Sequence, residues 1–153
     1  MLNTAIFPVR YNDAFYTDIT RGPPELAQFA VLGGLIVGAI CSRLEAGSKE
    51  GTCRLYLMTL GVLATHRGMG IGSKLLQWVL DSLRDRRDVQ EVYLHVQVNN
   101  TDALNFYRFV GRSMPRHALQ TRLPRFSQSI TSPRCAAAHH SPAMSECVWR
   151  WHY

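Results

Sequence analysis

The chain has 153 residues, of which 46% are hydrophobic, 18% charged and 10% aromatic; that is one domain's worth of chain with a sizeable core, and it excludes two full domains and wholesale disorder. Its 17 Lys and Arg against 11 Asp and Glu leave a net charge of +6, which alone would suit an acidic partner such as nucleic acid, a membrane surface or a phosphorylated ligand. The excess is local, because residues 1–108 hold 11 basic and 10 acidic side chains whereas 109–153 hold 6 and 1.

Cys41, Cys53, Cys135 and Cys147 are too few and too scattered for a disulfide scaffold, and no charged n-region leads into an apolar h-region. The reading is an intracellular, reduced protein. Residues 27–41 carry no formal charge but fall short of the roughly 20 residues a spanning helix needs, and Gly33-Gly34 punctuates two β-branched runs. A buried hairpin over 26–32 and 35–44 is therefore expected, and no membrane span.

Residues 55–62 form a strand with Tyr56, Met58 and Leu60 on one face and Leu55, Leu57 and Thr59 on the other. Gly68, Gly70 and Gly72 follow, and Leu75, Leu76, Val79, Leu80 and Leu83 then recur at helical spacing up to the charged stretch 84–88. The strand over 91–98 places Val92, Leu94, Val96 and Val98 on one face and Tyr93, His95 and Gln97 on the other. Asn99, Asn100, Thr101 and Asp102 offer caps for a short helix carrying Ala103, Leu104, Phe106 and Tyr107. No repeat is visible, and the changing period indicates a mixed α and β domain.

After Arg108 neither period persists. Residues 109–153 hold four of the seven prolines and four of the six histidines, and composition favours a disordered basic tail beyond a domain over 1–108. His117, Cys135, His139, His140, Cys147 and His152 match no compact zinc spacing, so no metal site is expected. Six arginines with Trp149, Trp151 and Tyr153 could touch phosphates and bases, but a solvated tail is the simpler reading and nucleic acid is not the expected partner.

Arg67-Gly68-Met69-Gly70-Ile71-Gly72 between a strand and a helix lets backbone approach a ligand, and the helix start beyond it presents unpaired N–H groups to an anion. It lacks the Lys-Ser/Thr of a P-loop and the full Rossmann spacing, which argues against nucleotide hydrolysis and hydride transfer. Arg-x-x-Gly-x-Gly after a strand ending Thr59-Leu60-Gly61-Val62 resembles the acetyl-CoA loop of the GNAT acetyltransferases. Three stretches narrow the resemblance to N-alpha-acetyltransferases of the NatE (San) type: Ile6-Phe7-Pro8-Val9-Arg10-Tyr11-Asn12-Asp13 with Phe15-Tyr16; Arg54-Leu55-Tyr56-Leu57-Met58-Thr59-Leu60-Gly61; and Tyr93-Leu94-His95-Val96-Gln97 running to Asn105-Phe106-Tyr107-Arg108. It covers about residues 5–108.

The resemblance implies an α/β (α+β) fold whose mixed, twisted sheet, flanked by helices, splays open beside the glycine loop. It implies direct acetyl transfer from acetyl-CoA to the free amine of an initiating Met followed by a hydrophobic residue. Leu60 and Val62 would offer backbone groups to the pantetheine arm, and Arg67, Gly68, Gly70, Ile71, Gly72 and Ser73 would cradle the pyrophosphate. Asn100 and Tyr107 would flank the thiol end, Tyr107 protonating the departing thiolate. Phe7, Pro8, Val9, Tyr11 and Met58 would form the pocket for the first substrate residue. An N-terminal amine has a reference pKa of about 7.7 to 8.0, so transfer needs only a modest base; the resemblance assigns that to His95 with Tyr56, through ordered water. Partners implied are protein N-termini and the ribosome-associated NatA complex, in the cytoplasm and also the nucleus.

Each of these residues has a plainer reading. His95 could be a structural histidine, Tyr56 a buried aromatic, Tyr107 the apolar face of a helix, and Phe7, Pro8 and Val9 ordinary packing. Trp78 reads as packing or partner contact, and Asp81, Asp85 and Asp88 as a solvated helix end. The chain also departs from the family. Only six residues precede Phe7, where the family has a strand and much of a helix. Phe109-Val110-Gly111-Arg112-Ser113 stands where the family has Gly-Phe, two further strands and a tyrosine pair, so the fold is expected to be incomplete at both ends and residues beyond about 109 to reflect a reading-frame or splice difference. A lysine or small-amine acetyltransferase and a noncatalytic subunit of an acetyltransferase complex are the alternatives.

Overall fold

The computed structural model describes Thr17, residues 22–113 and the strands at 125–131 and 146–152. A short 3-10 turn at Pro24–Leu26 leads into β1 (Ala27–Leu32) and β2 (Leu35–Ala46). Gly33 at φ +57° and Gly34 at φ +79° both occupy the left-handed region, which a two-residue primed hairpin turn demands and only glycine adopts without strain. The expected hairpin is present, with Leu32 opposite Leu35, but it is not buried as expected: no residue of β1 is buried, and Phe29, Val31, Leu32, Leu35 and Ile36 are exposed because the hairpin forms the edge of the sheet. Among the described residues no helix is long and apolar enough to cross a membrane.

β3 (Cys53–Val62) pairs antiparallel with β2; Leu55, Leu57 and Thr59 are buried and Tyr56, Met58 and Leu60 half-buried. Leu60, however, packs against the core with Leu55 and Leu57, so the expected alternation is broken by the register shift between Leu57 and Thr59. A 3-10 turn at Ala64–His66 and the glycine loop follow, and α1 covers Ile71–Ser82. β4 (Val89–Gln97) then runs parallel to β3, as a strand reached through a crossover helix should. α2 spans Thr101–Ser113; the Asn100 side chain caps it by accepting from the Ala103 N–H at 3.1 Å, which satisfies one of the orphan amides of its first turn.

β5 (Arg125–Thr131) and β6 (Glu146–His152) complete a sheet of order β1-β2-β3-β4-β6-β5. Here the structure differs from the expectation of a tail without elements after Arg108: α2 continues to Ser113, and β6 pairs antiparallel with β4 from Glu91↔His152 to Gln97↔Glu146. These strands arise from partners distant in sequence, which local periodicity does not register. The tail histidines and cysteines weighed as metal ligands have no described side chains; among the described residues no group of His, Cys, Asp or Glu could hold a metal.

The core lies on one face of the sheet, where Leu55, Leu57, Val92, Leu94 and Val96 meet Leu75, Leu76, Val79 and Leu80 of α1 and Leu104, Tyr107 and Val110 of α2. Trp78, on the opposite side of α1, is 55% exposed and takes no part in it. Leu76 is fully enclosed, so Leu76→Ala is expected to cost about 2–5 kcal/mol through lost transfer energy and a residual cavity. Trp78→Ala should shift stability by no more than about 0.5 kcal/mol; equilibrium urea denaturation of the two variants measures the contrast.

Candidate functional site

The two central parallel strands separate. β3 and β4 are paired only from Cys53↔Val89 to Tyr56↔Tyr93, although β3 continues to Val62 and β4 to Gln97. Beyond that point β3 is held by β2 alone, through Gly38↔Val62, and β4 by β6 alone. A bulge accompanies the parting: Cys41 faces Thr59 and Ser42 faces Leu57, leaving Met58 as the extra residue of β3. Bulges bend the strand that carries them and increase its twist, and this one falls two residues past the last β3–β4 pair.

On the helix side of this opening is a cleft of about 340 Å³ lined by the end of β3 (Leu60, Gly61, Val62), by Arg67 and Gly72, and by the first turns of α2. The loop reaches α1 through Gly70, whose φ of +75° is left-handed, and no side chain caps the helix there. Its first intrahelical bond is Lys74 N–H to Gly70 O at 3.0 Å, so the amides of the first turn precede the helical ladder and suit an anion. Gly72 permits close approach of the two helices, since a Cβ there would lie 3.2 Å from the Phe106 ring. The Arg67 Nε donates to the Val62 carbonyl at 3.3 Å, tying the loop to the end of β3.

The opposite face of the sheet carries a ring cluster at the mouth of the opening. Tyr56 is the last β3 residue paired with β4, and His95 stands two residues past its partner Tyr93. The Tyr56 and His95 rings meet edge-on with centroids 5.6 Å apart, and Tyr93 stacks on Tyr56 at 5.0 Å. The Tyr93 hydroxyl donates to Glu45 Oε2, and Arg43 and Arg54 bind the same carboxylate at 2.8 and 3.2 Å. Burial pushes the Glu45 carboxyl up, but the hydrogen bonds from Tyr93 and Arg43 and the charges of Arg43 and Arg54 outweigh it and hold the group below its ordinary value. Burial, then Glu45, pushes the Tyr93 phenol up. Tyr107, on the helix side, is raised by burial.

Leu60, Val62, Arg67, Gly72, Asn100 and Tyr107 line the cleft, as a cofactor role would need. Gly68, Gly70, Ile71 and Ser73 belong to the same loop and first turn without lining it, and Ile71 packs against the core. Tyr56 and His95 come together, and Met58, half-buried, is the unpaired residue of the β3 bulge two positions after Tyr56. Phe7, Pro8, Val9 and Tyr11 lie outside the described residues. Gly61, Asp102, Ala103 and Phe106 of the lining were not singled out from the sequence, although Ala103, Phe106 and Tyr107 share one helical spacing. Glu45, Arg43 and Arg54 were missed too, since three strands must be registered before they meet.

A sheet that parts between parallel strands beside a glycine loop and an uncapped helix start is the architecture of an acyl-CoA-type acetyltransferase. Residues 2–111 match the Acetyltransferase (GNAT) family, and the chain belongs to it. It is 40% identical over 110 residues to "Probable N-acetyltransferase san" of Drosophila melanogaster, covering 72% of this chain and 58% of the relative. It is 44% identical over 110 residues to "N-alpha-acetyltransferase 50" of Danio rerio, covering 72% of this chain and 64% of that one. The chain thus spans 58% and 64% of the length of these curated relatives. Among solved structures it resembles Arabidopsis thaliana Naa50 in complex with the bisubstrate analogue CoA-Ac-MVNAL, with a TM-score of 0.74, 37% identity, and coverage of 99% of this chain and 88% of that one.

Because Glu45 titrates below its ordinary value of 4.5 in the folded chain, its ionised form contributes stability in full at neutral pH. As pH falls below 4.5 the unfolded chain takes up the proton first, and the contribution is lost on the way down through the folded value. Thermal denaturation between pH 7 and pH 3 is expected to show a smaller loss of stability on acidification in Glu45→Gln than in the unsubstituted chain.

Proposed function

We propose that the chain transfers the acetyl group of acetyl-CoA to the free alpha-amine of a protein N-terminus, preferring an initiating Met followed by a hydrophobic residue. The observation that carries the reading is the Tyr56–His95 ring pair, with centroids 5.6 Å apart, at the mouth of an opening whose other side is the cleft. Family membership and the Met-Val start of the peptide in the Arabidopsis complex support it.

The residues present fit acetyl-CoA. Glycine-loop and α1 amides beside Arg67 suit a pyrophosphate, and the cleft between Leu60–Val62 and Phe106–Tyr107 suits the pantetheine arm running toward the parted strands. The acetyl thioester supplies the electrophile. His95, exposed and in contact with Tyr56, receives the proton of the incoming ammonium, directly or through water, leaving a nucleophilic amine. The amine nitrogen forms a bond to the acetyl carbon while the carbon–sulfur bond breaks. Tyr107, kept protonated by burial, would donate to the sulfur as it leaves and be restored by the second proton that the nitrogen sheds on becoming an amide, while the proton on His95 passes to solvent.

Met58, the extra residue of the bulge that follows Tyr56, would floor an apolar pocket for the first substrate residue, and the family resemblance assigns its remaining wall to Phe7, Pro8, Val9 and Tyr11. Association with the ribosome-associated NatA complex, and residence in the cytoplasm and also the nucleus, rest on the family resemblance alone and are tested by pull-down and by imaging of the tagged chain.

Incubation with labelled acetyl-CoA and either a Met-Leu peptide or an N-blocked lysine peptide tests the activity. Label on the alpha-amine is expected; label on lysine alone, or none on either peptide, overturns the reading. His95→Ala and Tyr56→Phe should each lower kcat by about 10²–10⁴, the range for loss of general base catalysis, while retaining the thermal stabilisation by acetyl-CoA that binding confers.

A further inference from the structure

The transfer described above uses Tyr56 and His95 but not the residues that surround them. In the sheet register Arg43 faces Tyr56 and Glu45 faces Arg54 across β2 and β3, while Arg54 faces Glu91 and Tyr56 faces Tyr93 across β3 and β4. Two rows, Glu45–Arg54–Glu91 and Arg43–Tyr56–Tyr93, thus cross three strands, and the second holds Tyr56 of the Tyr56–His95 pair.

Tyr93 touches both members of that pair. It stacks on Tyr56 with an interplanar angle of 30° and meets His95 edge-on with centroids 5.8 Å apart at 84°. Its hydroxyl is fastened to Glu45, and Glu45 is itself fixed by the Arg43 Nε and Nη2 at 3.1 and 2.8 Å and by Arg54 Nη2 at 3.2 Å. The same guanidiniums lie over the rings, Arg43 at 5.5 Å from the Tyr56 centroid and Arg54 at 4.9 Å from that of Tyr93.

Surface ion pairs at comparable exposure commonly contribute little to stability, so stability alone does not account for the arrangement. Its geometric effect is specific: the carboxylate determines where the Tyr93 hydroxyl points, and the Tyr93 ring limits how Tyr56 and His95 can turn. A base misplaced by even a fraction of an ångström loses rate steeply. We propose that Glu45, acting through the Tyr93 hydroxyl, is a positioning residue that sets the Tyr56 and His95 rings in the geometry acetyl transfer requires. This rests on the acetyltransferase reading for its kinetic consequence and on the ring geometry for its structural one.

The experiment compares Glu45→Gln, Tyr93→Phe and the double variant by steady-state kinetics with acetyl-CoA and a Met-Leu peptide. In parallel, NMR follows the His95 ring signals of isotope-labelled chain, assigned by their loss in His95→Ala. Each single substitution should lower kcat by roughly tenfold to a hundredfold, as misplacement does, with both KM values unchanged. The double variant should be no slower than Tyr93→Phe, and the His95 ring signals should move in both single variants without moving further in the double. Additive losses of kcat, a change confined to KM, or His95 signals unmoved by Glu45→Gln would overturn the proposal. If Glu45→Gln does not fold, Tyr93→Phe decides: a lowered kcat with moved His95 signals supports the proposal, and either left unchanged overturns it. If the unsubstituted chain acetylates no amine, the acetyltransferase reading fails, and the His95 signals alone decide the positioning.

Discussion

Parallel strands in a sheet normally satisfy each other's backbone groups along their length, because a buried N–H or C=O without a partner is costly. Here β3 and β4 do so only as far as Tyr56 and Tyr93. The remainder of each strand is secured from its outer side, by β2 for β3 and by β6 for β4, so the inner edges can part without the sheet coming undone. Every element of the candidate site takes its position from this parting. The cleft is its helix-side opening, the ring cluster stands at its other mouth, and the bulge at Met58 bends β3 at the place where the two strands diverge.

The opening joins two surroundings of different dielectric character, and the tyrosines show what each does to the same phenol. Tyr107 is buried among the apolar residues between α2 and the sheet, where lack of solvation keeps it protonated. Tyr93 is buried too, but its proton is additionally held by a hydrogen bond to a carboxylate. One tyrosine is thereby a protonated phenol lining the cleft, and the other is tied to a carboxylate among rings. Asn100 links cleft and fold: it lines the cleft while its side chain caps the helix that carries Tyr107.

The sequence made some of this readable for local reasons. Alternation separated Leu55 and Leu57 from Tyr56 and Met58, paired glycines marked the hairpin turn, and the glycine loop stood between a strand and an amphipathic helix. The bulge at Met58 left no such trace, because it is a property of the β2–β3 register and not of the residues flanking it. Glu45 could not be connected to Tyr93 for the same reason: the two are 48 positions apart and meet only when three strands are aligned. The strands at 125–131 and 146–152 were hidden by composition, since Val148 blurs the alternation of Cys147, Trp149 and Trp151 with Glu146, Arg150 and His152, and the surrounding stretch is rich in serine, proline and arginine.

That last pairing bears on the chemistry more than its place in the chain suggests. Past Tyr93, β4 has lost β3 as a neighbour, and the residues from Leu94 to Gln97 are paired with β6 alone, His95 opposite Val148. The backbone that carries the imidazole therefore depends on a strand drawn from the segment least like a folded domain by composition. Side-chain packing from α1 and α2 reaches the other face of β4, through Val92, Leu94 and Val96, and fixes its height but not its lateral position. Lateral position in a sheet comes from ladder hydrogen bonds. The width of the opening between β3 and β4 is thus set from outside on both sides, by β2 pulling on one lip and β6 on the other, and neither of those strands supplies the ring pair itself.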